Sequence, residues 1–273
     1  MSKTRRLERL DHLLMELRPD LSRSRIQAEI MAGKVQVNGL VCDKPGTLIP
    51  RDAAIRLIAP ENPYVSRGGL KLEGALSELV VDVQGMIILD VGASAGGFTD
   101  CLLNKGAKLV FALDVGYGQL HWRLRQHPRV VVMERFNVRQ LTTQDLPETP
   151  DLSVIDVSFI SLTLVLPVLH RMKIAKIIAL IKPQFEVGRT EASKGEGVVR
   201  DPAAHRRVLT DLIGFACRTG YCCSGIAFSR WPGPQGNIEY FLYASAGEQE
   251  CTCPPDLAVK IDHVVADAHH ALL

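Results

Sequence analysis

The feature that most constrains the fold is an apolar run that ends in a glycine-rich turn. Residues 87–98 read Ile-Ile-Leu-Asp-Val-Gly-Ala-Ser-Ala-Gly-Gly-Phe. An apolar, β-branched run followed at once by glycine is typical of a strand that is buried on both faces of a parallel sheet. The glycines permit a tight turn into a following helix. The pattern therefore predicts the first strand of an α/β domain at residues 87–91.

The rest of the chain repeats this alternation of strands and helices. Further strands are predicted at residues 108–114, 130–134, 152–156 and 176–181, with helices beginning near residues 97, 118, 160 and 202. Residues 221–229 and 238–244 have no helix between them, so they predict a terminal antiparallel pair. The fold class is therefore α/β, a doubly wound, Rossmann-like sheet that is mostly parallel with its last strand antiparallel. This domain is expected at residues 67–246, and residues 247–273 read as a weakly specified tail.

The first 60 residues predict a separate, small α+β domain. A second helix should begin at Ser22 and end at Gly33, which are residue types that favour the two ends of a helix. Residues 35–41 alternate around Asn-Gly, a strong hairpin signal, and residues 55–58 read as a closing strand. The proline-bearing linker is placed at residues 61–66. The first helix is predicted from leucines at helical spacing, at positions 7, 10, 13, 14 and 17.

Charge is distributed unevenly along the chain. Residues 1–60 contain 11 Lys+Arg and 7 Asp+Glu, a balance of +4 (11 − 7), whereas the whole chain sums to +2. A basic module on a nearly neutral body is typical of a protein that binds a polyanion. No run approaches the roughly 18–20 apolar residues of a membrane helix, and the N-terminus lacks the apolar segment of a signal peptide. We therefore expect a cytoplasmic protein without stable membrane association.

The cysteines are odd in number and scattered. Without a secretion signal, such a set favours reduced thiols over a disulfide framework. Cys251 and Cys253 with His263 lack a second ligand pair at the spacing of a zinc site, so no metal is expected. The seven positions are 42, 101, 217, 222, 223, 251 and 253.

The glycine turn itself admits three chemistries. Gly92-Ala-Ser94-Ala-Gly96 fits the elbow of a serine hydrolase, but the required histidine, His263, lies in the expected tail without a neighbouring motif. A dinucleotide site needs G-x-G-x-x-G, whereas the turn reads G-x-x-x-G-G. Asp114 follows the second strand and could hold the ribose of any adenosine cofactor. Asp90 ahead of the first glycine and the missing phosphate-binding spacing favour S-adenosylmethionine.

The two helices and the hairpin of the N-terminal domain carry S-R-S-R at 22–25, G-K-V-Q-V-N-G at 33–39 and K-P-G at 44–46. This pattern resembles the small RNA-binding module of the ribosomal protein S-four type, and the resemblance covers about residues 7–58. In that family, basic residues of the second helix and the hairpin contact structured RNA. The resemblance therefore implies RNA contacts by Arg23, Arg25, Lys34 and Lys44.

The remaining chain contains a series of distinctive motifs, which are V-S-R-G-G-L-K-L-E-G-A-L at 65–76, L-D-V-G-A-S-A-G-G-F-T-D at 89–100, D-V-G-Y-G-Q-L at 114–120, E-R-F-N-V-R at 134–139, D-V-S-F-I-S-L at 156–162, K-P-Q-F-E at 182–186 and G-P-Q-G-N-I-E-Y at 233–240. Together they closely resemble the TlyA family. Members of this family are ribosomal RNA ribose-2′-O-methyltransferases, often labelled hemolysin, and their catalytic domain is similar to the FtsJ type. Ala95 stands where the family is expected to carry threonine, so a hydroxyl contact to the cofactor would be missing.

Resemblance to FtsJ-type enzymes implies a catalytic Lys-Asp-Lys-Glu tetrad. Methyl transfer to a ribose hydroxyl is an in-line displacement, so the protein must align two groups and manage one proton. Independently of the family, Asp156 and Lys182 follow predicted strands at their carboxyl ends, where open α/β sheets build their sites. We expect Lys182 to act as general base or to polarise the 2′-hydroxyl. The full tetrad is Lys71, Asp156, Lys182 and Glu239.

The cofactor site is expected at the glycine turn and the next strand ends. The turn would hold the amino-acid tail of S-adenosylmethionine, Asp114 the ribose hydroxyls, and Val115 and Asn137 the adenine. Ser94 could instead cap the following helix, and Phe98 could belong to the core. The predicted cofactor-binding set is Gly92, Ser94, Gly96, Gly97, Phe98, Asp114, Val115 and Asn137.

The resemblance implies that the substrate is cytidine ribose in small- or large-subunit ribosomal RNA, so ribosomal RNA or ribosomal subunits are the expected partners. A buried target nucleotide would have to be flipped out. Arg67 would touch RNA phosphate or fix the linker. The alternatives are a non-catalytic ribosome-assembly factor, which the intact tetrad argues against, and a membrane-lytic hemolysin. Charged turns interrupt every apolar run, which argues against the hemolysin.

Overall fold

The computed structural model of the chain describes residues 7–19, 21–31, 33–57, 62–187, 197–247, 251 and 253–273. Contacts divide the chain into two units, Met1–Pro63 and Tyr64–Leu273, each with hydrophobic clusters of its own. None of the helices within the described ranges is long and apolar enough to cross a membrane.

The N-terminal unit combines two helices with short strands. Strand β2 pairs antiparallel with β3 and with β5, while β1 pairs antiparallel with β4. The buried faces of the two helices meet in a small core of Leu10, Leu13, Leu14, Ile26, Ile30, Val35 and Ile49. The elements are β1 (Leu7–Arg9), α1 (Leu10–Leu17), α2 (Arg23–Met31), β2 (Val35–Val37), β3 (Leu40–Val41), β4 (Leu48–Pro50) and β5 (Ile55–Leu57).

Most of the predicted elements of this unit are confirmed, with one error at its start. Ser22 Oγ accepts a hydrogen bond from the N–H of Arg25 at 3.3 Å, as expected of a residue that begins a helix. The prediction that the first helix begins at Leu7 is wrong, because residues 7–9 pair with β4 as strand β1. Leu7 matches the helical spacing of the leucines, but its side chain is 55% exposed and takes no part in the core.

The C-terminal unit alternates strands and helices. Short 3₁₀ turns occur at Val138–Gln140, Thr143–Asp145, Leu162–Leu164 and Pro234–Gly236. The elements are α3 (Gly68–Glu78), β6 (Ile87–Val91), α4 (Gly97–Asn104), β7 (Leu109–Leu113), α5 (Trp122–Arg125), β8 (Val130–Met133), β9 (Leu152–Ile155), α6 (Leu166–Arg171), β10 (Lys176–Ile181), α7 (Pro183–Glu186), α8 (Pro202–Thr219), β11 (Tyr221–Phe228), β12 (Tyr240–Ala246) and α9 (Leu257–Leu272).

These strands form one seven-stranded sheet in the order β11-β12-β10-β9-β6-β7-β8. The neighbours from β10 to β8 are parallel, whereas β12 runs antiparallel to both β10 and β11. The predicted mostly parallel sheet with an antiparallel last strand is therefore confirmed. Strand β6 is buried along its whole length, which explains its continuous apolar run. Ile87, Leu89 and Val91 pack into one cluster and Ile88 into the other.

The predicted weak tail is wrong, because its larger part is a packed helix. Helix α9 has 16 residues and contacts α8 and β11. Its apolar residues recur at helical spacing and are buried, namely Leu257, Ile261, Val264, Val265 and Ala268. The expectation of reduced thiols is also wrong for one pair, since Cys222 in β11 forms a disulfide with Cys251.

Candidate active site

The predicted site residues meet at one edge of the sheet. Asp114 follows β7, Asp156 follows β9 and Lys182 follows β10, so all three lie where parallel strands end. Glu239 precedes the antiparallel strand β12, whose first residue, Tyr240, pairs with the last residue of β10. The reversed direction of β12 is therefore what brings Glu239 to the same edge as the other residues.

The four tetrad residues form two lysine–carboxylate ion pairs. Lys71 Nζ lies 2.6 Å from Glu239 Oε2, and Lys182 Nζ lies 2.6 Å from Asp156 Oδ1. Each lysine side chain is 11% exposed, and that of Glu239 is 0% exposed. Removing one partner of such a pair leaves the other charge poorly solvated, so each pair constrains its members strongly.

Glu239 is closed off from solvent by the loop that precedes β12. Gly233 lies directly against its carboxylate, and a Cβ at that position would overlap Glu239 Oε1. Within the described part of the chain, Oε1 has no hydrogen-bond partner, while Oε2 accepts a hydrogen bond from Lys71. Glu239 therefore holds Lys71, and Lys71 is the member of this pair that lines a cavity.

Two cavities adjoin the tetrad and share Gly92, Ser94 and Asp156. The larger cavity, about 600 Å³, is lined by Ser66, Arg67, Gly68, Lys71, Gly92, Ala93, Ser94, Ala95, Gly97, Phe98, Asp156 and residues 232–236. The smaller cavity, about 380 Å³, is lined by Val91, Gly92, Ser94, Leu113, Asp114, Val115, Gln119, Asn137, Val138 and residues 156–160. Asp156 therefore stands at the junction of the two spaces.

The glycine turn is shaped by close approaches. Gly92 has φ +88°, and a Cβ there would overlap the carbonyl oxygen of Asp156. Ser94 donates its backbone N–H to Asp114 Oδ2 at 2.8 Å and its hydroxyl to Gln119 Oε1 at 3.3 Å. The serine is thus a structural part of the turn and does not cap α4, whose N-cap is Gly96.

Asp114 is fixed by backbone donors while it lines the smaller cavity. Its Oδ1 accepts from the N–H of Gly116 at 2.7 Å and its Oδ2 from Ser94. Each carboxylate oxygen has a further lone pair for a ligand hydroxyl. Val115 beside it is 70% exposed, and Asn137 lines the same space while its Oδ1 accepts from the N–H of Arg139.

Three residues near the turn lie mainly inside the fold. Phe98 is 3% exposed and stacks on Phe241, so the core alternative for this residue is correct, although the larger cavity reaches it. Gly96 packs under Leu120 and Leu124 and lines neither cavity. Asp90 is 0% exposed, and its Oδ2 accepts a hydrogen bond from Thr99 at 2.6 Å. Burial raises the pKa of Asp90 to about 7.

Comparisons with known proteins assign both units of the chain to known families. The FtsJ-like methyltransferase model matches residues 64–246, and the S4 domain model matches residues 8–55. The putative rRNA methyltransferase YqxC of Bacillus subtilis is 46% identical over 98% of this chain and 96% of its own length. The 16S/23S rRNA (cytidine-2′-O)-methyltransferase TlyA of Mycobacterium tuberculosis is 47% identical over 83% of this chain and 86% of its own length. The chain belongs to the TlyA family.

A solved structure extends this TlyA-family likeness to the whole fold. The putative hemolysin from Streptococcus thermophilus has a TM-score of 0.74 and 41% identity, and the match covers 98% of both chains. This TlyA-family chain is therefore an FtsJ-like methyltransferase with an N-terminal S4 domain. Within the described ranges, no three His, Cys, Asp or Glu side chains are grouped as a metal site.

The basic residues of the S4 domain in this TlyA-family chain are largely paired within the domain. Glu29 forms ion pairs with Arg25 at 2.7 Å and with Lys34 at 3.2 Å. Arg23 lies 3.9 Å from the buried Asp11, and Lys44 is exposed. In the catalytic domain, Arg67 lines the larger cavity. RNA contact by these five residues stays a prediction.

Sequence reasoning missed several residues around Lys182 of this TlyA-family site. Lys182 Nζ donates a hydrogen bond to Ser158 Oγ at 3.0 Å and lies 5.9 Å from the ring of Phe185. The ring of Phe159 lies 5.0 Å from that of Phe185 and is 90% exposed. Both phenylalanines stand in recognised motifs, but only the fold brings the two motifs together.

Proposed function

We propose that this TlyA-family chain transfers a methyl group from S-adenosylmethionine to a ribose 2′-hydroxyl of ribosomal RNA. The observation that carries the proposal is the ion pair of Lys182 with Asp156, the residue that lines both cavities, together with the Lys71–Glu239 pair, whose lysine lines the larger cavity. The relative from M. tuberculosis, which is named for cytidine-2′-O methylation of 16S and 23S rRNA, supports cytidine as the target. Such a substrate implies a cytoplasmic location.

The smaller cavity fits the adenosine part of this cofactor. Its walls are mainly apolar, with Asp114 at the position expected for a ribose diol and Asn137 beside it. Gly92 leaves the space that a side chain would fill, which suits the close approach of an amino-acid tail to the backbone. The cofactor supplies a methyl carbon that its sulfonium already activates, so the transfer needs no metal.

Lys182 and Lys71 have different tasks in this proposal. Lys182 Nζ, which Asp156 and Ser158 fix, engages the 2′-hydroxyl and accepts its proton during transfer, after the lysine of this ion pair has released one proton to solvent. Lys71 presents its ammonium to the larger cavity, where it stabilises negative charge on the attacking oxygen. Glu239 orients Lys71 from the buried side.

The RNA enters from the side of the larger cavity. Arg67 lines this cavity and is suited to bind a backbone phosphate, because an arginine can donate two hydrogen bonds to it. The S4 domain supplies further, sequence-independent contacts through Arg23, Arg25, Lys34 and Lys44. The target nucleotide is flipped out of its stack so that its ribose reaches Lys182.

The decisive experiment is transfer of a tritiated methyl group from S-adenosylmethionine to ribosomal subunits that lack the modification, followed by mapping of the labelled nucleotide. We expect labelling of a ribose by the wild type and a loss of about 10³-fold or more with Lys182→Ala, because the proton acceptor is removed. Cofactor affinity of this variant should stay within about threefold. An RNA with 2′-deoxycytidine at the mapped position should accept no label.

Other outcomes would favour the alternatives. Tight binding of cofactor and RNA without transfer by the wild type would indicate a ribosome-assembly factor. Leakage of lipid vesicles by the wild type and by Lys182→Ala alike would support a lytic protein. Full activity of Lys182→Ala would overturn the assignment of the base while leaving the methyl transfer itself in place.

A further inference from the structure

We propose that Glu186 is a positioning residue that fixes the Asp156 loop against Lys182 through two hydrogen bonds and not through its charge. The inference rests on the proposed function and concerns how the base is held. This loop, the β9 loop, comprises residues 156–162, which follow β9, and its neighbour is the one-turn helix α7, which follows β10.

The carboxylate of Glu186 reaches from α7 to the far end of the β9 loop. Its Oε2 accepts a hydrogen bond from Ser161 Oγ at 2.6 Å, and its Oε1 accepts one from the backbone N–H of Leu162 at 2.9 Å. Both oxygens are therefore used on the same loop. Burial raises the pKa of this carboxyl, while the two donors lower it.

The two segments are also bridged at their near ends. Lys182, which immediately precedes α7, pairs with Asp156 and donates to Ser158. Between the near and far ends, the rings of Phe159 and Phe185 are in contact. The β9 loop is thus held at its start by the proposed base itself and at its end by Glu186.

This division explains why a residue remote from the chemistry should control the rate. The near-end contacts involve Lys182, whose nitrogen must also engage substrate, so they alone cannot keep the loop still during the reaction. Residues 156–160 of the same loop line the smaller cavity, so a shift of the loop changes the placement of donor and base together. A misplacement of about 1 Å can cost about 10²-fold in rate.

Glutamine at this position separates hydrogen bonding from charge. In Glu186→Gln, the amide oxygen can accept from the Leu162 N–H. The amide nitrogen can donate to Ser161 Oγ, because a hydroxyl oxygen can act as an acceptor as well as a donor. In Glu186→Ala both contacts are lost. We expect kcat at saturating cofactor and RNA to fall about 10- to 100-fold in the alanine variant and less than about threefold in the glutamine variant, with the KM for RNA little changed in both.

Ser161→Ala tests whether Glu186 acts through its hydrogen bond with Ser161. The single change should lower kcat less than Glu186→Ala does, and its effect should be smaller when Glu186 is already alanine, because the two residues share one contact. A small effect remains, since Ser161 Oγ also accepts a hydrogen bond from the N–H of Thr163. Glu148→Ala is the matched control. It removes an exposed glutamate paired with Lys108 ahead of β9, away from the carboxyl ends of the strands, and should leave kcat unchanged.

Amide hydrogen exchange of the full chain tests the contact without relying on activity. The Leu162 amide should exchange at least about tenfold faster in Glu186→Ala than in the wild type, and nearly normally in Glu186→Gln. Unchanged exchange in the alanine variant would overturn the proposed contact. Faster exchange with unchanged kcat, or an equal loss of kcat in both variants, would overturn the positioning role. A wild type that shows the expected exchange pattern but transfers no methyl group would instead refute the proposed function.

Discussion

Asp90 should make the folding stability of the C-terminal unit depend on pH in a way that one substitution removes. Its carboxyl is 0% exposed at the end of β6, where Thr99 Oγ1 donates to Oδ2, while Oδ1 has no hydrogen-bond partner within the described residues. Burial raises its pKa from the ordinary value of 3.8 to about 7, and the charges of Asp156 and Asp114 add to the rise. The perturbation is Asp90→Asn, which keeps the shape and cannot ionise.

The direction in which stability changes with pH follows from the protonation of Asp90 in the folded and in the unfolded chain. Below about pH 3.8 the carboxyl is protonated in both the folded and the unfolded chain, and its contribution to stability is fully present. As the pH rises towards about 7, the unfolded chain releases the proton while the folded chain keeps it, so stability is lost. One pKa unit corresponds to about 1.4 kcal/mol. The wild type should therefore lose about 2 kcal/mol relative to Asp90→Asn between pH 5 and pH 7.

Denaturant unfolding followed by tryptophan fluorescence measures this difference. The two tryptophans, Trp122 and Trp231, both lie in the C-terminal unit, so the signal reports on the unit that contains Asp90. All other titrating groups are shared by the two proteins and cancel in the difference. Thr99→Val should extend the loss above pH 7, because it removes the hydrogen bond that lowers the pKa. A stability difference that stays constant within about 0.5 kcal/mol from pH 5 to pH 7 would refute the reasoning.

Two further substitutions test the site. Gly233→Ala should lower kcat about tenfold or more with little change in cofactor affinity, because the added Cβ would displace Glu239 and with it Lys71. Gly74→Ala is the control, since position 74 lies on the same helix as Lys71 but has open space around it, and it should leave kcat unchanged. Steady-state kinetics measure kcat, and calorimetry measures cofactor affinity. Asp114→Ala should weaken S-adenosylmethionine binding about 10- to 100-fold, because it removes the acceptor of two backbone hydrogen bonds and the proposed ribose anchor; unchanged affinity by calorimetry would exclude that anchor.

The sequence was sufficient to predict that the candidate site residues lie at one edge of the sheet, because strand ends follow from short-range patterns. An apolar run fixes a buried strand, and the residue after it falls at the carboxyl edge of a parallel sheet, as Asp156 and Lys182 do. Glu239 precedes its strand, and only the family resemblance predicts it as a site residue. Its position depends on β12 running antiparallel, which the absence of a predicted helix before β12 indicates.

The sequence was not sufficient where burial or a long-range partner decides the outcome. The leucine spacing fits a helix that begins at residue 7. Residues 7–9 instead form strand β1, because they pair with β4, which lies some 40 residues further along the chain. Phe98 beside the turn could face a ligand or the core, and only its stacking on Phe241 decides. The apolar residues of α9, by contrast, recur at helical spacing, so this helix is predictable from the sequence pattern alone.

The charges around the turn indicate why Asp90 should be neutral. Asp156 and Glu239 are each balanced by a lysine, whereas Asp114 is held by backbone N–H groups and faces the smaller cavity. Among the described residues, an ionised Asp90 beneath the turn would be a second carboxylate without a counter-ion, and at 0% exposure such a charge costs several kcal/mol. Protonation of Asp90 avoids that cost and, within the same described residues, leaves Asp114 as the one carboxylate at the smaller cavity without a lysine or arginine partner. The negative charge of Asp114 attracts the positive sulfonium of the proposed methyl donor, whereas the thioether of the demethylated product is neutral and is not attracted in this way.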